Sequence, residues 1–172
     1  MPNWIEGSLK VRGNYENVKR FFLDGTNDYT YQDNNKCESG RYVPRPKEEY
    51  REVTEYEAKG NDGRECIISW HSVESIYIED TKRAFIDGGQ DVYICESKDG
   101  VTIGECMFRQ AWSIEPDNWV DLSKKYDVDI RLWGLEGGMQ FGEELEVSKG
   151  EITICEVKNY DTWTMPLPWM GG

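Results

Sequence analysis

The sequence predicts an α+β domain: an antiparallel sheet with two helices on one face, a strand-rich insertion and an extra C-terminal hairpin. Three observations carry this. A period-two run near the N-terminus passes straight into a capped helical run, a proline-led helical run sits between two long alternating segments in the last third, and most of the remainder is short β-branched stretches broken by Gly, Asn and Asp.

The elements follow in order. In "WIEGSLKVRG", Ile5, Leu9 and Val11 alternate with Glu6, Ser8, Lys10 and Arg12, the pattern of a half-buried strand. Asn14 is suited to cap a helix over "YENVKRFFLDG", in which Tyr15, Val18 and Phe22 share a face, Phe21 adjoins it, and Gly25 is the expected C′ residue. "DGTNDYTYQDNNKCESG" reads as loop. "PRPKEEYREVTEYEAKG" reads as a short helical turn followed by a strand, and "RECIISW", "VESIYIED" and "RAFIDGGQDVYICES" as further short strands and turns. Asp91–Ser97 and Val101–Trp112 form a hairpin around "SKDG", with Phe108 and Trp112 on the same, core-facing side. Pro116 opens a helix carrying Trp119, Leu122 and Tyr126 inward, with Asp117 and Lys124-Lys125 matching its dipole. "VDIRLWG" buries Val128, Ile130 and Leu132, and a last hairpin turns at Ser148-Lys149-Gly150. Trp163 and Trp169 of the C-terminal segment are expected to pack on the sheet. With no repeat and no flexible linker, residues 1–172 read as one domain with an insertion at about 25–100.

Composition bounds the chemistry. The net charge is −13, and it is uneven: residues 1–50 hold eight Lys and Arg against eight Asp and Glu, residues 51–172 twelve against twenty-five. Such a field opposes direct binding to nucleic acid, which draws on neutralising phosphates. No apolar run is long enough to span a membrane and the N-terminus lacks the features of a signal peptide, so a cytoplasmic location in the host cell is expected. The five cysteines, Cys37, Cys66, Cys95, Cys106 and Cys155, lack paired metal-ligand spacing and read as free thiols in a reduced core.

Some short motifs resemble a known family. "MPNW" at residues 1–4 running into the first strand, "AWS" at Ala111–Ser113 before a proline-led helix, and "GGMQFGEELEVSKGEI" are similar to the YubB-type ferredoxin-like domain family of phage and plasmid proteins. The likeness covers roughly residues 1–24 and 101–155. Ile5 stands where that family usually has cysteine, one proline after "AWS" is absent, and the stretch from Gly25 to Gly100 is longer than typical. The resemblance implies a ferredoxin-like fold and a mobile-element origin, and no settled activity.

Three function classes are weighed. Catalysis finds no support: His71 is the sole histidine, and no nucleophile elbow, phosphate loop or dinucleotide fingerprint is present, so no catalytic residue, metal or cofactor is assigned. A nucleic-acid module stacking bases on strand aromatics is the alternative, opposed by the charge, and a small enzyme of another type is the third reading. Protein binding is preferred: an acidic accessory protein acting as inhibitor of a host defence nuclease, anti-CRISPR-like and mimicking nucleic acid. The candidate contacts are Glu48, Glu49, Glu52, Glu55 and Glu57, then Glu143, Glu144 and Glu146, with Tyr29, Tyr31, Tyr42 and Tyr50 as anchors. A homodimer through an exposed edge strand is compatible with this reading.

Overall fold

The computed structural model describes residues 3–32, 41–57, 63–71, 73–87 and 89–166. Strand β1 (Trp4–Gly13) buries Ile5, Leu9 and Val11 and turns Glu6, Lys10 and Arg12 to the opposite face. Helix α1 (Tyr15–Asp24) starts where Asn14 accepts the Asn17 N–H at 2.9 Å, satisfying one of the first-turn amides that have no partner inside the helix. Tyr15, Val18, Phe21 and Phe22 form its buried face. Gly25 ends the helix at φ −82°, outside the left-handed region expected of a C′ glycine. Its reason is space, since a Cβ there would sit 2.5 Å from the Phe21 carbonyl oxygen.

Strands β2 (Thr26–Asn27) and β3 (Tyr29–Gln32) follow, and β3 pairs with β4 (Arg41–Pro44) in a two-stranded ribbon. The Asn- and Asp-rich stretch is therefore partly strand and not loop throughout. A 3₁₀ turn (Lys47–Glu49) leads to β5 (Arg51–Glu57), then β6 (Arg64–Trp70), β7 (Ser75–Ile78), β8 (Ala84–Asp87), β9 (Val92–Glu96) and β10 (Thr102–Ala111). Helix α2 (Pro116–Tyr126) has Pro116 in its first turn and buries Trp119, Leu122 and Tyr126, before β11 (Asp129–Glu136), β12 (Phe141–Ser148) and β13 (Glu151–Asn159). Lys149 and Gly150 both have positive φ in the final turn, which suits the twist of a tight hairpin.

The architecture corrects the expected small ferredoxin-like α+β domain. Of the described residues strand makes up 54% and helix only 16%, and eleven strands join a single antiparallel sheet. Its longest path runs β13-β12-β11-β1-β10-β8-β7-β2, with β9, β6 and β5 branching from β10. The stretch treated as an insertion supplies strands to that same sheet. Period and turn residues identify short strands one at a time, but which edge each extends is decided by pairing between distant segments.

The branch at β10 positions everything that follows. Its first half, Thr102–Glu105, pairs with β9, and its second half, Phe108–Gln110, pairs with β8. The sheet therefore forks into a β9 arm (β9-β6-β5) and a β8 arm (β8-β7-β2). Both arms turn apolar residues to the helix-covered face: Val92, Ile94, Cys66 and Ile68 in the first, Ile76, Ile78 and Ile86 in the second. The Phe22 ring lies under the fork, where a Cβ on Gly104 would overlap it.

The corner from β10 to α2 departs from its expected form in one residue. Phe108 is buried and meets Trp119 edge-on at 6.2 Å. Trp112, expected beside Phe108 in the core, is 60% exposed with φ 75°. The strand ends at Ala111, and the left-handed backbone at Trp112 swings its ring off the alternating pattern. Buried Gln110 takes over the corner: it accepts from the Trp119 indole N–H at 3.2 Å and donates to the Lys82 carbonyl at 3.3 Å.

Candidate interaction surface on the open face

The registers place Trp4, Glu6, Ser8, Lys10 and Arg12 of β1 on the sheet face away from the helices, beside Ile103, Glu105, Met107 and Arg109 of β10 and Asp129, Arg131 and Trp133 of β11. The centre of this open face is a lattice of opposed charges. Lys10 meets Glu105 at 3.3 Å, Arg12 meets Asp129 at 2.7 Å, and Arg131 pairs with Glu144 and, at 3.8 Å, with Glu146. Burial pushes the Asp129 carboxyl up, but Arg12, the Ser148 hydroxyl and the Lys149 N–H outweigh it and hold the group below the usual range. Cross-strand pairs of this kind fix register more than they add stability.

The β9 arm carries a different surface. Tyr56, Glu65, Cys95 and Ile103 stand side by side across β5, β6, β9 and β10, and Thr54, Ile67, Tyr93 and Glu105 form the adjacent row. Tyr56, Tyr93 and Ile103 are 44%, 55% and 44% exposed, and Cys95 is exposed. Glu52, Glu65, Asp91 and Glu105 surround them, and Asp91, Tyr93 and Glu105 line an open depression of about 460 Å³. Hydrogen bonding to Glu65 raises the Tyr56 phenol pKa. Large apolar groups exposed among carboxylates on a sheet face mark a candidate protein contact site.

The β8 arm ends in an aromatic groove. Tyr29, Tyr77, Phe85 and Trp4 form a ladder of edge-on rings with successive centroids 5.9, 5.5 and 5.9 Å apart. Asn27, Asp28, Tyr42, Ser75 and Arg83 complete a groove of about 550 Å³ around the first three rings. The Tyr29 hydroxyl donates to Glu79 at 2.6 Å and the Tyr77 hydroxyl donates to the Thr81 carbonyl, so both rings are held in place. Two guanidinium groups flank Trp4, Arg83 at 5.5 Å and Arg109 at 5.2 Å from the ring centroid.

The residues singled out by sequence fall in several places. Glu48 and Glu49 lie exposed on the 3₁₀ turn, with Glu49 4.0 Å from Arg45. Glu52 is on the open face 3.2 Å from the His71 ring, whereas Glu55 and Glu57 share the opposite side of β5 and Glu55 pairs with Lys19 of α1. Glu143 is not a free surface carboxylate: it accepts the Ile114 N–H at 2.6 Å and is half-buried, and burial raises its pKa. Glu144 and Glu146 are bound to Arg131, so the acidic candidates form no single patch. Tyr29 and Tyr42 line the groove, but Tyr50 is 1% exposed, its hydroxyl accepting the Asp28 N–H, which removes it as an anchor. The side chain of Tyr31, Cys37 and Trp169 lie outside the described residues.

Two further expectations are corrected. Trp163 is 93% exposed and does not pack on the sheet. Cys66 and Cys106 are buried, but Cys95 and Cys155 are exposed, so only part of the thiol set is core. Tyr56, Tyr93, Arg83, Arg109 and Trp4 escaped the sequence reading. The alternation of β10 sets Ile103, Glu105, Met107, Arg109 and Ala111 on the more polar face; the first four lie on the open face, and Ala111 is buried where the strand ends. Among the described residues no group of three His, Cys, Asp or Glu side chains is arranged to hold a metal ion, and no helix is long and apolar enough to cross a membrane. Comparison with protein-family models, with characterised proteins and with solved structures finds no match to this chain.

Proposed function

We propose that this chain acts by binding another protein through the open face of the β9 arm. The observation that carries the reading is the cluster of Tyr56, Tyr93 and Ile103, exposed on two adjacent cross-strand rows, with Glu65 among them and Glu52, Asp91 and Glu105 beside them. Tyrosines in such settings are frequent sources of binding energy, and an acidic rim favours a partner with a basic surface. Nucleic-acid-handling enzymes present such surfaces, and an inhibitory accessory protein of a phage or plasmid, acting on a defence nuclease, fits that chemistry and the net charge of −13.

The test is capture from a lysate of candidate host cells with immobilised chain, comparing wild type with Tyr56→Ala/Tyr93→Ala and with Glu52→Lys/Glu65→Lys. A nuclease or other nucleic-acid-handling protein retained by wild type and lost by both variants supports the reading. Recovery of nucleic acid without protein, or a partner retained equally by both variants, overturns it.

A homodimer belongs to the same proposal on a separate observation. Strand β13 ends the sheet, with Val157 64% exposed. Antiparallel pairing with a second copy about Val157 sets Glu156 opposite Lys158 of that copy, twice by symmetry. Sedimentation would then show a dimer for wild type and a monomer for Val157→Lys; a wild-type monomer at high protein concentration removes this element.

A further inference from the structure

We propose that the aromatic groove at the end of the β8 arm binds a mononucleotide, with the base among the rings of Tyr29, Tyr77 and Phe85 and the phosphate toward Arg83 and Arg109. Four observations support it.

The first is the state of the two arginines. In a chain of net charge −13, with its central arginines paired to carboxylates, Arg83 and Arg109 form no ion pair among the described residues. Glu6 stands directly across from Arg109 in the β1–β10 register and does not engage it. The Arg109 Nε is buried with no hydrogen-bond partner. That atom is closed to solvent, so an anion would meet the terminal guanidinium nitrogens, which have no partner among the described residues.

The second is the shape. A groove of about 550 Å³ lies within the range that small ligands occupy. The third is rigidity. Tyr29 and Tyr77 are anchored through their hydroxyls, so the rings are set before a ligand arrives, and a planar π-system loses little by entering. Asn27 and Ser75 add amide and hydroxyl groups at the wall for the edge of a base. Asp28, the carboxylate in the lining, is engaged by Arg45 at 2.7 Å.

The fourth is charge at longer range, and it separates a free nucleotide from a strand. Away from the groove the open face bears Glu105, Glu144 and Glu146, and the β9 arm adds Glu52, Glu65 and Asp91. A polynucleotide lying along this face would carry successive phosphates past those carboxylates, whereas a mononucleotide places its one phosphate at the two arginines.

Isothermal titration with AMP, UMP, the corresponding nucleosides, inorganic phosphate and a ten-nucleotide thymidine oligomer tests the assignment on the full chain. The expected result is one site for at least one mononucleotide, with the matching nucleoside and phosphate each about tenfold weaker or more. Arg83→Ala and Arg109→Ala should each weaken the mononucleotide about tenfold, while Tyr56→Ala/Tyr93→Ala leaves it unchanged. Because Arg83 is exposed, its substitution keeps the fold, and a matching thermal transition confirms this. No heat with either mononucleotide at millimolar concentration overturns the proposal. Equal affinity for nucleotide and nucleoside, or an oligomer bound far more tightly than the mononucleotide, does the same. The β9-arm variants separate this outcome from that of the protein-binding reading, since the two sites share none of the substituted residues.

Discussion

The two arms that leave β10 have the same covered face and different open faces. Beneath, the β9 arm buries valine, isoleucine and cysteine and the β8 arm isoleucine, and the Phe22 ring lies against Gly104 of β10 at the fork. Above, the β9 arm shows tyrosines among carboxylates, and the β8 arm shows a ladder of rings with two arginines that form no ion pair among the described residues. The difference shows how the covered face of a sheet can be constrained to one chemistry while the solvated face diverges. Burial demands apolar side chains of fitting volume wherever a strand lies, and solvent imposes no such uniformity.

That comparison can be broken at several levels. The largest effect is expected from Phe22→Ala, a fully buried ring under the fork, at about 3–5 kcal/mol of unfolding free energy in urea. Amide exchange should accelerate together in β6 and β8; acceleration in one alone would mean that the arms do not share a support. Next, Tyr56→Ala/Tyr93→Ala should cost about 2 kcal/mol or more of partner affinity, by titration against the captured protein. The same variant should alter unfolding free energy by roughly 0.5 kcal/mol or less per residue, since neither side chain is buried. Asn14→Ala removes the N-cap of the helix that contacts both arms, and about 1 kcal/mol is expected, with restoration by Asn14→Ser or Asn14→Asp.

The smallest effect is a pH dependence confined to the β9 arm. Arg64, hydrogen-bonded to Glu96 at 3.1 Å, holds that carboxyl below its ordinary value of 4.5. A lowered folded-state pKa means that the pair's contribution is complete above pH 4.5 and is lost as pH falls through the lower folded value. Amide protection in β6, taken relative to the intrinsic exchange rate at each pH, should therefore fall on acidification more in wild type than in Glu96→Gln, with β8 unaffected by the substitution. Equal responses in both arms would place the acid sensitivity elsewhere.

Much of the local structure was legible in the sequence because local rules govern it. Asn14 followed by apolar residues at helical spacing marks α1, Pro116 ahead of Trp119, Leu122 and Tyr126 marks α2, and Ser148-Lys149-Gly150 marks the final hairpin. Each depends on neighbours a few positions away. The candidate surfaces were less legible. Glu52, Tyr29 and Tyr42 were singled out and lie on them, while Tyr50 shows that a tyrosine in a polar stretch can be core when distant segments close over it. Trp112 shows the limit of alternation, because one residue with positive φ reverses the side that the period assigns.

By itself, then, the sequence determined both helices and the long strands around them, which side of β1, β10 and β11 is apolar, and that the chain is strongly acidic, while it missed β2, β3 and β4. Tertiary structure alone decided that the middle of the chain completes one eleven-stranded sheet, that β10 divides between two neighbours, and that Phe85, Tyr77 and Tyr29 meet in a groove with Arg83, next to Trp4 and Arg109. The physical reason is range. Periodicity and capping act within a turn or a strand, whereas strand partners are chosen among segments tens of residues apart, by the burial and hydrogen bonds that the assembled sheet gains.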